Sequence, residues 1–218
     1  MELFSFIRRG EFAKSKPTVK SLLFLLFTYL IFSIPISFPL VILNVFHLIP
    51  KYITLNHEAS LKYILAVIIF APIIEELTFR LLLIPKYSYI SFSLSLIIIT
   101  FSKSIWGTNY GYELYLLALP AFCLAHYIFK DKSFNTTKSV KLLVHISVVI
   151  FAFMHIFNFV DVKTWMYFIF PILTAPQILM GYILSFSRLK YGFLFGVLLH
   201  MLVNFTISLA MLFKFFFS

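Results

Sequence analysis

From Ser21 to Phe46 the chain carries no charged side chain, a stretch longer than the roughly 20 apolar residues that cross a bilayer as helix. Similar runs recur to the end of the sequence. With breaks at charges, Gly and Pro, hydropathy gives seven candidate spans at about 21–46, 62–84, 87–105, 112–129, 142–160, 165–186 and 191–213. They occupy nearly all of the 218 residues, 61% of them hydrophobic and 12% charged, so no separate soluble domain fits. The expected fold is all-α, a polytopic transmembrane bundle of about seven spans: a basic cytoplasmic N-terminal arm (1–20), one transmembrane domain (21–213) and a short tail (214–218).

The net charge of +10 follows from topology without any nucleic acid. With the N-terminus inside, inner segments hold twelve basic residues, among them Arg8, Arg9, Lys14, Lys141, Arg188 and Lys190, and outer segments hold five. That asymmetry predicts N-in, C-out, and Trp106, Trp165, Tyr110, Tyr112, Tyr115 and Tyr167 fall near the outer boundaries, where amphipathic rings settle. The first hydrophobic run is too long for a signal peptide and reads as a retained span. A single cysteine, Cys123, precludes an intrachain disulfide and reads as an inert packed thiol. The sequons at Asn135 and Asn204 read as chance, one in an inner loop and one within a span.

The polar residues inside the spans carry the functional signal. In "APIIEELTFR", Glu75 and Glu76 are the two acidic residues that lie deep. Each ionisable group near a span centre costs about 2.5–3.5 kcal/mol to insert, so the pair must face protein or a wet cavity. Glu76 and Arg80 are one turn apart and can pair, whereas Glu75 points about 100° away with no local partner. The bland reading is that both carboxylates anchor the bundle through Arg80, and for Glu76 it is the preferred one.

On the last span Gly192, Gly196, His200 and Asn204 are spaced four apart, which places two close-packing glycines, an imidazole and an amide on one helix face. Phe151 and His155 are likewise one turn apart on the fifth span. His126, four residues after Phe122, is the competitor for His155, but it lies near the inner end of its span, where a histidine inserts cheaply. A lone intramembrane histidine is more often structural than catalytic. Three spans with deep polar side chains are harder to explain that way, because each bears its own insertion penalty.

An unpaired carboxylate, two imidazoles and an amide form a set that can activate water and stabilise an oxyanion, as peptide hydrolysis requires. The same Glu and His side chains could instead ligate a divalent metal such as zinc. There is no H-E-x-x-H, no deep aspartate pair and no G-x-S-x-G, so the usual zinc, aspartyl and serine solutions are missing.

In order, E-E-x-x-x-R (Glu75, Glu76, Arg80), F-x-x-x-H (Phe151, His155) and H-x-x-x-N (His200, Asn204) lie on separate spans. In this the chain resembles the CAAX protease and bacteriocin-processing family of intramembrane proteases, the Abi family or type-2 CAAX prenyl endopeptidases, over about 62–213. The resemblance implies a multi-pass protein of the bacterial plasma membrane, surrounded by lipid, that cleaves a membrane-associated, lipidated or bacteriocin-like substrate. Glu75 and His155 would activate water, His200 and Asn204 would stabilise the oxyanion, and Glu76, Arg80 and Phe151 would support them. It leaves open whether Glu75, His155 and His200 work alone or around a metal. Two extra spans, 87–105 and 112–129, separate the glutamates from His155; their even number preserves antiparallel order. The rival reading is an inactive scaffold or immunity protein of the same fold, with a small proton-coupled transporter below it.

Overall fold

The computed structural model describes residues 2–10, 12–49, 60–84, 86–106, 111–130, 137–159, 162–209 and 212–213, with 102–106, 111–117 and 137 as backbone alone. Among these residues there is no strand. The helices are α1 (Glu2–Arg9), α2 (Val19–Val45), α3 (a run of five segments from Leu61–Leu65 to Leu81–Leu83), α4 (Tyr87–Trp106), α5 (Gly111–Phe129), α6 (Thr137–Met154), α7 (Ala175–Tyr191) and α8 (Phe193–Ile207).

Helix α2 starts at a reciprocal cap. Thr18 Oγ1 accepts from Ser21 N at 3.1 Å and Ser21 Oγ accepts from Thr18 N at 3.0 Å, which satisfies donors orphaned at a helix start. Its first half buries Leu22, Leu25, Leu26 and Tyr29, but Phe27, Ile31, Phe32, Ile34 and Phe38 are exposed. So much uncovered apolar surface marks a membrane or partner interface. Among the described residues, Val19–Val45 and Lys138–Asn158 are the two helices long and apolar enough to cross a membrane.

Helix α3 is irregular where the function is expected. Segments Ala66–Phe70 and Glu76–Arg80 are π-helical, with wider turns that release carbonyls from the ordinary i→i−4 ladder. Side chains from other helices take these up. Asn204 Nδ2 donates to Val67 O at 2.9 Å, Ser147 Oγ donates to Phe79 O at 2.6 Å, and Ser93 Oγ donates to Thr78 O. Ser147 is fully buried. Ser147→Ala should therefore leave a buried acceptor unmet and cost about 1–3 kcal/mol, read as a lower unfolding midpoint in detergent.

The Glu76–Arg80 segment packs against α4, α6, α7 and α8 together, which explains why Glu76, Thr78, Phe79 and Arg80 are all buried. The two additional helices of the long gap pair as a hairpin, α4 on α5, with α4 laid along the C-terminal end of α3. That arrangement leaves α6 and α8 in contact with the glutamate segment.

Several expectations need correction. The sixth span is not one helix over 165–186 but a turn Thr164–Tyr167, a short segment Phe170–Leu173 and α7, which runs on to Tyr191. Pro171 and Pro176 each stand in the first turn of a segment, where a missing N–H is harmless. Arg188 and Lys190 consequently sit in the last turn of α7 and are buried, not in a loop. Gly192 is outside α8: its φ of 102° joins α7 to α8, and it packs against no neighbouring helix. The basic N-terminal arm carries a helix of its own. Helix α1 buries Phe6 against Phe186, and Glu2 pairs with Lys190. Cys123 is exposed, not packed. The first outer loop with His57 and Glu58, the Asn135 sequon, Asp131, Asp161, the tail 214–218 and the side chains of Trp106, Tyr110, Tyr112 and Tyr115 lie outside the described residues.

Candidate active site

His200 stands between the two adjacent glutamates. Its Nδ1 lies 3.1 Å from Glu76 Oε1 in a hydrogen bond, and its Nε2 lies 3.5 Å from Glu75 Oε2, within ion-pair range but without a hydrogen bond. An ionised carboxylate can only accept, so Nδ1 carries the proton toward Glu76. In a neutral ring Nε2 would then be an acceptor facing a second acceptor. A hydrogen bond across this gap needs a proton on one of the two facing atoms.

The two glutamates have different surroundings. Glu76 is fully buried, as is Arg80, whose Nε is 3.7 Å from Glu76 Oε1. Glu75 is 27% exposed, which leaves its carboxylate reachable. At Gly196 α8 lies close to Glu76 with room for little more than a methyl: a Cβ there would stand 3.4 Å from Glu76 Oε2 and 3.5 Å from Ser187 Oγ. Gly196→Ala should accordingly be tolerated, whereas Gly196→Leu should force α8 off Glu76, cost about 1–3 kcal/mol and weaken the His200 contact, measurable by thermal unfolding.

Phe151 is the apolar centre of the cluster. Its ring, fully buried, carries the Arg80 guanidinium 4.1 Å from its centroid and contacts Phe79, His155 and His200 at centroid separations of 5.5, 4.5 and 6.1 Å. The cation–π contact partly compensates a guanidinium whose three nitrogens have no hydrogen-bond partner among the described residues. His155 begins a 3₁₀ turn, His155–Asn158, at the end of α6. Its Nδ1 is 2.7 Å from Phe151 O, and because a carbonyl only accepts, the neutral ring has Nε2 free as a base. It lies within electrostatic range of Glu75, His200 and Arg80.

Asn204 is on the α8 face of Gly196 and His200, but its Nδ2 is committed through one N–H to Val67 O. The second N–H remains for any oxyanion. His126 packs against the Tyr87 and Phe122 rings at 4.8 and 5.7 Å, on the α4–α5 hairpin and away from the glutamates. As a metal set, Glu75, His155 and His200 do not fit: among the described residues no group of three His, Cys, Asp or Glu side chains converges closely enough to hold an ion. Sequence reading missed Ser93 and Ser147, whose signal was a hydroxyl inside a span, one turn before Phe151 in the case of Ser147.

Comparison with family models, curated proteins and solved structures gives no match. The functional reading therefore rests on the cluster's own chemistry.

Proposed function

We propose that this chain is a multi-span intramembrane endopeptidase, similar to the CAAX protease and bacteriocin-processing family, N-terminus inside and C-terminus outside. It hydrolyses a peptide bond in a membrane-associated substrate. The observation that carries this reading is the reachable Glu75 carboxylate 3.5 Å from His200 Nε2, with Glu76 holding the other ring nitrogen.

In the proposed reaction, Glu75 takes a proton from water, assisted by the free Nε2 of His155. The water oxygen bonds to the scissile carbonyl carbon, and the carbonyl electron pair moves onto its oxygen. That oxyanion receives the His200 Nε2–H and the spare N–H of Asn204. Collapse breaks the C–N bond as Glu75 returns the proton to the leaving nitrogen. No step is routed through a metal, because the donors do not assemble a ligand set.

A second reading draws on the Asn204–Val67 bond and the buried Glu76–Arg80 pair, which suit a non-catalytic scaffold clamped by polar contacts. Peptide termini in membranes bearing the wild type and Glu75→Gln separate the two. New termini confined to the wild type support the protease and name its substrate; identical termini favour the scaffold.

A further inference from the structure

At the end of the bundle where α1, the 12–15 segment and the α7–α8 junction meet, a cavity of about 540 Å³ opens outside the glutamate cluster. Its apolar wall includes Leu83 and Leu189, and its polar lining includes Lys14, Ser15, Arg188, Lys190 and Tyr191. Among the described residues no acidic side chain lines it. Among the described residues Glu2 pairs with Lys190 and the Glu76 charge offsets part of that of Arg188, so the lining keeps a net positive charge.

Arg188 is the unusual member. It is 9% exposed, and its shielded Nε has no hydrogen-bond partner among the described residues. Its guanidinium carbon lies 4.8 Å from the Phe193 ring centroid, at the first residue of α8. There the 15-residue α8 begins at Gly192 without a side-chain cap; the Gly192 N–H itself donates to Arg188 O at 3.1 Å. Gly192 adopts φ 102° with nothing within 4 Å of where a Cβ would be, so the junction is both open and restricted to glycine.

We infer that this cavity binds a phosphate group, with Arg188 as its floor and exposed Lys14 at its rim. A planar guanidinium matches tetrahedral phosphate oxygens in both charge and donor geometry. The phosphate can come from an anionic phospholipid headgroup, whose chains would follow the apolar wall, or from a soluble phosphate compound. In the proposed topology the cavity is at the inner membrane surface, where basic pockets between helices collect anionic headgroups. The inference goes beyond the hydrolytic reading: Arg188 lies within reach of the Glu76 charge, but no residue of the cluster lines the cavity, so phosphate binding is read separately from cleavage.

The test uses the full-length protein in detergent. Phosphatidylglycerol or phosphatidylcholine vesicle lipid, or inorganic phosphate alone, is added, and binding is read by native mass spectrometry and thermal shift. Wild type should retain phosphatidylglycerol over phosphatidylcholine, and Arg188→Gln should weaken that binding about tenfold or more. Lys14 is exposed, so Lys14→Gln tests the site without burdening the fold and should weaken binding severalfold, while exposed Lys16→Gln, outside the lining, should not. Arg188-dependent protection by inorganic phosphate alone would support the site and assign it to a soluble phosphate. Equal retention of both lipids with no phosphate effect, or binding unchanged in both Arg188→Gln and Lys14→Gln, overturns the inference.

Discussion

Glu75→Gln is expected to slow cleavage of a membrane-peptide substrate by about 10²–10⁴-fold while the purified protein melts where the wild type does. The amide is isosteric and keeps an oxygen facing His200, but it cannot accept a proton from water. Little of the fold depends on the charge: Glu75 is 27% exposed and lies in ion-pair range of His200 without a hydrogen bond to it. Initial rates in detergent, beside a thermal melt of the same sample, separate chemistry from folding. Undiminished turnover would remove Glu75 from the reaction; a large fall in melting temperature would recast it as a strut.

Part of this arrangement was readable in the sequence because burial of charge in an apolar run is so unfavourable that it announces itself. The one-turn spacing of Glu76 to Arg80 and the shared face of Gly196, His200 and Asn204 follow from helical periodicity alone. Tertiary partners did not follow. Nothing local says that Glu76 serves His200 as well as Arg80, or that one amide N–H of Asn204 goes to Val67 O.

Helical geometry also hid what hydropathy cannot see. A π turn changes the phase of side chains without changing their polarity, so the segments Ala66–Phe70 and Glu76–Arg80 read as ordinary span. Gly192 was assigned to a packing seam by spacing, yet its positive φ puts it before the helix. The break near Pro171 and Pro176 was legible from first-turn proline preference, but a hydropathy window averages across it. Helix α1 had its signal too: Glu2 in the first turn with Arg8 and Arg9 in the last suits the helix dipole.

Removing either member of the Glu76–Arg80 pair should destabilise the protein by about 3–5 kcal/mol, the largest effect on folding expected of any single change in the cluster. Both side chains are fully buried, and Glu76 is hydrogen-bonded to His200. Glu76→Ala would strand a guanidinium whose remaining support is the Phe151 ring, and would free His200 Nδ1 in an apolar surround. Arg80→Met keeps a chain over that ring but leaves a buried anion. The double variant should cost less than the sum of the singles, because the second change removes the charge that the first left unpaired. Unfolding midpoints of the four proteins in detergent give that coupling directly. If Glu76→Ala melts like the wild type, the buried pair carries little of the fold and this expectation fails.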